Sequence, residues 1–330
     1  MLTEPTDLDR KELGATLQRR WGLLGSDLEY LPVGFGSHHW RAIRSDGELR
    51  FVSVDDLEAG FQAGSDTDSA FAALERAFRT AASLREDAEL DFVVAPLFDE
   101  DGAIIRRLSD RYAVTVSPFV VGASSSFGPY ELEDRRRMGG VLGRLHAATE
   151  LVPRGLPRTE DFVLPARSAL EDALGDLLQP WRTGPFAEPA RQLLQEHARD
   201  LVARLRQYDE LSTEIRATAG SWVLTHGEPH RANVIRDPDG GVHLVDWDTT
   251  LIAPRERDLR MVLDEDLTGW DDYVAVAGEV SLNQDALRVY SSWWELADVA
   301  TFVDLFRRQH ERTEDTTASM GYLRDSLLRV

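Results

Sequence analysis

Between residues 222 and 248 the chain carries side chains suited to handling a phosphate group. Glu228 and Asn233 follow the apolar run WVLT, and Asp246 follows the apolar run GVHLV after a DPDGG turn. Because both runs predict short strands, these polar residues are expected together at neighbouring strand ends. One carboxylate would lie beside a hydroxyl nucleophile, while an amide and a second carboxylate are hard oxygen ligands for Mg²⁺. The pattern indicates phosphoryl transfer.

The same segment resembles a known family of enzymes. LTHGEPHRANVI followed by HLVDWD is similar to the H-G-D-x-x-x-x-N motif and the D-x-D metal segment of aminoglycoside phosphotransferases and related small-molecule kinases. The continuation LIAPRERDL resembles spectinomycin phosphotransferases most. The resemblance implies that Asn233 and Asp246 bind Mg²⁺, that Glu228 orients or deprotonates the substrate hydroxyl, and that Asp258 braces the catalytic loop. It also implies a protein-kinase-like fold with ATP or GTP as co-substrate.

Two positions depart from the family pattern. The catalytic aspartate is replaced by Glu228, whose extra methylene moves the carboxylate by about 1–1.5 Å, a shift large enough to matter for positioning. In the family a strand lysine reaches the nucleotide phosphates, and the corresponding position in this chain is Ser53. The single lysine, Lys11, precedes the first predicted strand. Either Arg41 on the neighbouring strand takes the role of this lysine, or Mg²⁺ and backbone amides carry the phosphates alone.

The remaining nucleotide-binding candidates lie in a glycine loop and a hinge. The sequence VGFGSHHW looks like the nucleotide-covering loop, whose glycines let backbone N–H groups approach phosphate, and SPFVVG resembles the hinge that binds the nucleotide base. His38 is a candidate phosphate donor, with an ordinary loop histidine as the alternative. The predicted nucleotide-binding residues are therefore Gly34, Gly36, Ser37, His38, Arg41, Ser53, Ser117 and Phe119.

An acidic and aromatic segment follows the metal segment. Asp264, Asp266 and Trp270 would suit a pocket for a cationic sugar or cyclitol, because carboxylates and aromatic faces both bind ammonium groups. The alternative is a solvated acidic loop that caps a helix.

The elements that must position these residues change character along the chain. A helix with Leu13, Leu17 and Trp21 on one stripe is followed by predicted strands at 28–33, 39–44 and 49–54, a helix over 66–86, and strands at 91–98 and 111–120. The segment 122–129, GASSSFGP, reads as a linker. Helices are predicted beyond it at 132–148, 167–178 and 189–208.

This order predicts an α+β, two-lobed, protein-kinase-like fold. Residues 1–121 would form a small N-lobe with a five-stranded antiparallel sheet that ends in the hinge. Residues 122–330 would form a larger, mostly α-helical C-lobe with the catalytic loop, metal site and acceptor pocket.

Charge and composition narrow the partners. The chain of 330 residues has 37 basic and 58 acidic side chains and a formal net charge of −21. This charge disfavours nucleic acid and anionic membranes and favours cationic or metal-bridged substrates. There is no cysteine, the N-terminal segment is polar, and no apolar run approaches the roughly 18 residues of a membrane helix. A cytoplasmic protein without a membrane span is expected.

Taken together, these features predict a Mg²⁺-dependent kinase of a small-molecule hydroxyl, with an aminocyclitol or aminoglycoside antibiotic as the first candidate and resistance or self-protection as its role. Two alternatives stay open. One is a kinase of another hydroxylated metabolite or nucleoside antibiotic. The other is a nucleotide-binding pseudokinase, which Ser53 and Glu228 favour and the intact pair of Asn233 and Asp246 opposes.

Overall fold

The computed structural model describes residues 1–25, 27–58, 66–217 and 219–329. The chain forms two compact units. The first contains Met1, residues 3–160 and residues 221–282, and the second contains Leu2, residues 161–220 and residues 283–330. The lobe boundary predicted after residue 121 lies inside the first unit and stays a prediction.

The strands of the described residues are short. They are β1 (Glu29–Leu31), β2 (Ser37–Ile43), β3 (Leu49–Asp56), β4 (Arg106–Arg107), β5 (Tyr112–Pro118), β6 (Ala123–Ser124), β7 (Arg158–Thr159), β8 (Val223–Thr225), β9 (Val234–Arg236), β10 (Val242–Leu244) and β11 (Leu251–Ala253). The α-helices are α1 (Arg10–Trp21), α2 (Thr67–Glu86), α3 (Leu132–Ala147), α4 (Arg167–Gly175), α5 (Ala187–Arg216), α6 (Glu256–Val262), α7 (Trp270–Ala277), α8 (Gln284–Arg307) and α9 (Glu314–Leu327).

A five-stranded sheet in the order β1-β2-β3-β5-β4 opens the first unit, and all its pairs are antiparallel. The predicted sheet is therefore confirmed, but its fourth strand is not the apolar run 91–98. Arg106–Arg107 takes that place. Phe92 and Val93 are buried in the core, while the backbone around them bonds to Leu244 of β10. The prediction of a strand at 91–98 was wrong, because a run of buried apolar residues does not by itself form the backbone hydrogen bonds of a sheet.

The two faces of this sheet differ in chemistry. Trp40, Val52 and Val54 pack with Leu13 and Leu17 of α1 in one apolar cluster. Strand alternation places the residues between them on the opposite face, where the pairing register sets His39 beside Ser53 and Ser37 beside Asp55. The face away from α1 is therefore polar, as a ligand-binding face would be.

The helix predicted over 66–86 is confirmed as α2. Asp66 caps it by accepting a hydrogen bond from Ser69 N at 2.7 Å, and the Ser69 hydroxyl bonds back to the Asp66 backbone. This reciprocal capping box satisfies two N–H groups at the helix start. Phe78 and Leu84 of α2 are buried in a second cluster with Leu142 of α3 and Trp247. Helix α2 therefore packs in one core with the segment that follows β10.

The strands of the segment 222–248 belong to two small sheets. One has the order β10-β9-β6, and the other has the order β7-β11-β8. The linker predicted at 122–129 is thus partly wrong, because β6 pairs with β9. Gly122 allows this approach, since a Cβ there would lie 2.2 Å from the carbonyl oxygen of Arg236.

The second unit is helical and contains α4, α5, α8 and α9. Helix α5 packs against α8 and α9, and it runs from Ala187 to Arg216, longer than the predicted 189–208. Helix α4 ends at Gly175, before the predicted residue 178. In neither unit does a described helix combine the length and hydropathy needed to cross a membrane.

Candidate active site

The loop after β8 holds the catalytic candidates and turns sharply at its start. Gly227 has φ of +102°, in the left-handed region that favours glycine, and a Cβ there would lie 2.3 Å from an Arg257 guanidinium nitrogen. Only glycine fits both restraints without movement of Arg257. The loop ends in a 3₁₀ turn, Arg231–Asn233.

Asp258 of α6 binds the backbone at the start of this loop. Its buried carboxylate accepts hydrogen bonds from the backbone N–H of His226 at 2.9 Å and of Gly227 at 2.6 Å. His146 of α3 contacts the same carboxylate through Nε2 at 3.1 Å, and its Nδ1 lies 2.9 Å from the Tyr273 hydroxyl. Burial would raise the pKa of Asp258, but the hydrogen bond from His146 and nearby positive charge lower it overall. The ionised carboxylate therefore braces the loop, in the role that the resemblance implied.

His226 links the loop to the metal segment. Its Nε2 lies 2.9 Å from the carbonyl oxygen of Val245, and its Nδ1 lies 3.1 Å from the backbone nitrogen of Glu228. Burial lowers the pKa of His226 to about 4, so the ring is neutral at pH 7. The tautomer with the proton on Nε2 then satisfies both bonds.

Hydrogen bonds to its backbone carbonyl group hold Glu228 in place. Its carbonyl oxygen accepts hydrogen bonds from the Asn233 amide at 3.0 Å and from the His230 backbone N–H at 2.8 Å. The Glu228 side chain is 29% exposed, and Oε2 lies 3.8 Å from Nε2 of His230. Burial lowers the pKa of His230 to about 4, so this neighbour is neutral at pH 7. Glu228 is thus a partly accessible carboxylate next to a neutral ring.

Asn233 and Asp246 are brought together as predicted. The backbone carbonyl of Asn233 accepts a hydrogen bond from Val245 N at 3.0 Å, directly before Asp246. Asp246 has φ of +69°, in a region that few residues other than glycine adopt. The residue is exposed to solvent, although much of the volume around its carboxyl group is protein. Asp246 thus lies at the solvent-exposed surface in an uncommon backbone conformation.

Negative charge accumulates around Asp246. Burial is the largest effect that raises its pKa well above the usual range, followed by the charges of Asp248, Glu228 and Asp55. Burial raises the pKa of the neighbouring Asp248 as well. A divalent cation would relieve this repulsion.

The residues of this site fit Mg²⁺. The Asn233 amide donates through Nδ2 to Glu228, which leaves Oδ1 as an acceptor, and Asp246 adds carboxylate oxygens. No group of three or more His, Asp or Glu side chains stands ready to hold a metal in the described ranges. Mg²⁺ usually binds one or two carboxylates together with substrate phosphates and water.

The nucleotide-loop candidates lie at the start of β2. Gly34 and Gly36 have φ of +74° and +89°, so the loop uses conformations that favour glycine. A Cβ on Gly34 would lie 3.0 Å from Nε2 of His39. Nδ1 of His39 lies 3.1 Å from the Ser53 hydroxyl, and burial lowers the pKa of His39 to about 3. His39, and not the predicted His38, thus faces Ser53 below the glycine loop.

The other nucleotide candidates are placed differently. His38 is buried on the opposite face of the sheet, with Nδ1 3.2 Å from the Tyr30 hydroxyl. Arg41 forms an ion pair with Glu29, so its charge already has a partner. The rings of Phe51 and Phe119 lie 6.5 Å apart, and Ser117 is the register partner of Phe51. Ser117 and Phe119 therefore lie beside the polar face, whereas His38 does not.

Two of the three acceptor candidates have contacts with other parts of the chain. Asp264 accepts a hydrogen bond from Thr268 N at 2.8 Å and pairs with Arg135 Nε at 3.3 Å, as the alternative of a loop cap expected. Trp270 stacks on Tyr273 with ring centroids 5.4 Å apart. Asp266 is exposed. Their role in acceptor binding stays a prediction.

Sequence reasoning overlooked Asp55 as a site residue. Its charge acts on Asp246 and Asp248, although β3 and β10 are far apart in the chain. The available signal was strand alternation, because Ser53 and Asp55 must share a face.

We expect Asp258→Asn to lower the free energy of unfolding by about 1–3 kcal/mol, because an amide nitrogen would face one of the two buried backbone donors of the loop. Urea unfolding measures this effect. The control is Asp110→Asn in an exposed turn, which removes the same charge and should leave the midpoint unchanged. Equal stability of both variants would show that Asp258 does not brace the loop.

The chain is similar to several known proteins. Protein StrN from Streptomyces griseus is 28% identical over 301 residues, which cover 88% of this chain and 83% of StrN. A solved spectinomycin phosphotransferase with ADP and spectinomycin is similar in fold, with a TM-score of 0.72 at 15% identity over 97% of this chain and 95% of that one. An amicoumacin kinase with AMP-PNP and Ca²⁺ has a TM-score of 0.62 at 13% identity, over 97% and 93% of the two chains.

These likenesses confirm the predicted α+β, kinase-like fold. Residues 123–302, more than half of the chain, match the APH phosphotransferase enzyme family. That range includes the loop with Glu228 and Asn233, the metal segment with Asp246 and the bracing Asp258. The chain therefore belongs to the phosphotransferase enzyme family.

Proposed function

We propose that this protein transfers the γ-phosphate of a nucleoside triphosphate to a hydroxyl group of a small molecule in a Mg²⁺-dependent reaction. The observation that carries the proposal is that Glu228, Asn233 and Asp246 lie close together, next to a loop whose backbone Asp258 holds through two hydrogen bonds. Phosphoryl transfer depends mainly on positioning and charge stabilisation, which this arrangement supplies.

Each site residue has a distinct task in this proposal. Glu228 accepts a hydrogen bond from the acceptor hydroxyl and takes its proton as the new ester bond forms, while the bond from the γ-phosphorus to the bridging oxygen breaks and the nucleoside diphosphate leaves. Asn233 and Asp246 would hold Mg²⁺, which when bound stabilises charge on the phosphate oxygens. The amides of the loop from Gly34 to Ser37 cover the phosphates, and Ser117 and Phe119 adjoin the nucleotide base. Asp258 keeps the Glu228 loop in place through its two backbone hydrogen bonds.

An aminocyclitol or aminoglycoside is the first acceptor class to test, with resistance or self-protection as the role. The fold likeness to a spectinomycin phosphotransferase supports this choice, as does the strongly acidic chain, which favours cationic ligands. Phosphorus-31 NMR with a panel of aminocyclitols, aminoglycosides and other hydroxylated metabolites, each with ATP and with GTP, tests the proposal. Transfer of phosphate only to another hydroxylated metabolite would show that the acceptor is not an aminocyclitol or aminoglycoside. Nucleotide binding without any transfer would support the pseudokinase alternative.

The nucleotide site is expected to bind ATP weakly in the absence of Mg²⁺. Ser53 occupies the position of the family lysine, and losing one charge-assisted contact of about 1.5–3 kcal/mol weakens binding more than tenfold. Ser53→Lys should therefore raise the metal-free affinity for ATP by more than tenfold, as measured by calorimetric titration with and without Mg²⁺. Ser53→Met, which adds length without charge, is the matched control. Tight metal-free binding by the wild type would show that another group replaces the lysine.

A further inference from the structure

The segment 122–129 contains one large apolar side chain, Phe127, among Gly, Ala, Ser and Pro residues. Phe127 is 64% exposed, and its ring meets the ring of His230 edge-to-face at a centroid distance of 5.0 Å. A single exposed apolar residue is common on protein surfaces and by itself indicates no function. This one, however, borders the loop that carries Glu228, where an exposed aromatic ring is within reach of a ligand of that loop.

Two hydrogen bonds fix the backbone next to Phe127 to this loop. Arg231 Nη1 donates to the carbonyl oxygen of Pro129 at 2.8 Å, and the hydroxyl of the buried Tyr130 donates to the carbonyl oxygen of Pro229 at 2.7 Å. Because the two bonds run in opposite directions between the same two segments, they restrain both the separation and the orientation of these segments. The position of Phe127 beside the loop therefore does not depend on its ring contact alone.

His230 connects this ring to the residue that the proposed function makes the proton acceptor. Its Nε2 lies 3.8 Å from Oε2 of Glu228, and its ring contacts Phe127. One imidazole therefore neighbours both groups, so the Phe127 ring and the Glu228 carboxylate are one side chain apart. A six-membered cyclitol ring is wider than an imidazole. An acceptor whose hydroxyl lies at Glu228 can therefore also contact Phe127.

The aromatic ring and the carboxylate favour the same kind of acceptor. The face of an aromatic ring attracts ammonium groups, and a carboxylate attracts them too while it accepts a hydrogen bond from a hydroxyl. Trp270, the aromatic residue that the sequence suggested for this task, stacks on Tyr273 at a centroid distance of 5.4 Å. For Phe127, in contrast, a series of contacts leads to Glu228.

We propose that Phe127 contacts the acceptor and determines specificity for acceptors that carry an ammonium group close to the hydroxyl that receives phosphate. The inference rests on the proposed function, because it takes Glu228 as the residue that binds this hydroxyl. The competing ligand of the ring is the nucleotide, since the segment 122–129 follows the predicted hinge with Ser117 and Phe119. The contact with His230, next to Glu228, favours the acceptor.

The experiment is calorimetric titration of the full chain saturated with Mg²⁺ and a non-hydrolysable ATP analogue. The probes are 2-deoxystreptamine, an aminocyclitol, and myo-inositol, a cyclitol without amines, and the wild type should bind the first more tightly. We expect Phe127→Leu to bind 2-deoxystreptamine about 3- to 30-fold more weakly, because leucine is apolar but has no aromatic face. Phe127→Tyr keeps that face and should retain the wild-type affinity.

Phe98→Leu is the matched control. It makes the same change at another exposed ring, which contacts the Arg79 guanidinium of α2, and it should match the wild type in every titration. Separate titrations with the ATP analogue should give equal affinities for the wild type and Phe127→Leu. The urea unfolding midpoint of Phe127→Leu should also equal that of the wild type, because the ring is mostly exposed.

The outcomes separate this inference from the proposed function. Wild-type affinity for 2-deoxystreptamine in Phe127→Leu would overturn the inference, as would a wild type that does not prefer 2-deoxystreptamine to myo-inositol. Weaker binding of the ATP analogue by Phe127→Leu would assign the ring to the nucleotide and also overturn it. If the wild type still transfers phosphate in the phosphorus-31 experiment, the kinase proposal survives each of these results. Binding of 2-deoxystreptamine that depends on Phe127, without transfer to any acceptor, would overturn the kinase proposal alone.

Discussion

Asp246→Asn is expected to reduce turnover by several orders of magnitude while leaving the fold intact. The variant removes the carboxylate that would hold Mg²⁺ with Asn233, and charge stabilisation by the ion is a large part of phosphoryl-transfer catalysis. Stability should be at least equal to that of the wild type, because burial and the charges of Asp248, Glu228 and Asp55 make an ionised Asp246 unfavourable. Initial rates of phosphate transfer and urea unfolding midpoints measure the two effects.

The combination of lost activity and kept stability distinguishes a ligand from a structural residue. Asp110→Asn is again the control, since it changes the net charge equally at an exposed turn. If Asp246→Asn turns over as fast as the wild type, this carboxylate is not needed for catalysis. A large drop in the unfolding midpoint would instead assign Asp246 a structural role.

Glu228→Gln is expected to lower turnover by about 10²–10⁴-fold with little change in acceptor binding. Glutamine keeps the shape and accepts a hydrogen bond from the hydroxyl, but it does not take the proton or carry the charge. The loop should keep its conformation, because the contacts of Glu228 with Asn233 and His230 use its backbone carbonyl. The measurement is kcat and KM for the acceptor, together with acceptor binding by calorimetry.

Glu228→Asp is the matched variant, since it keeps the charge and restores the shorter side chain of the family motif. We expect it to retain most of the turnover, which shows that the carboxylate matters more than the methylene. If Glu228→Gln turns over as fast as the wild type, Glu228 is not the proton acceptor. A wild type that binds acceptor and nucleotide but transfers no phosphate would support the pseudokinase alternative.

Local sequence patterns were sufficient for several parts of the structure. The short runs at 39–44 and 49–54, with glycine-containing turns between them, predicted β2 and β3, and the apolar spacing and capping residues predicted α2 over 66–86. Patterns of this kind report on residues that are close in the chain, where backbone geometry fixes which side chains share a face. They failed for 91–98, because both a buried strand and a buried irregular segment are apolar.

The sequence by itself determined where the candidate catalytic loop and the candidate metal segment lie. Glu228, Asn233 and Asp246 lie within one short strand–turn–strand region, so local geometry brings them together. Only the tertiary structure decided that His146 supports Asp258 and that the charge of Asp55 acts on Asp246 and Asp248. These interactions join segments far apart in the chain, and they depend on the strand register and on how the elements pack against one another. Strand alternation places Asp55 on the same face as Ser53, but no local pattern of residue types shows that this face lies near Asp246 and Asp248.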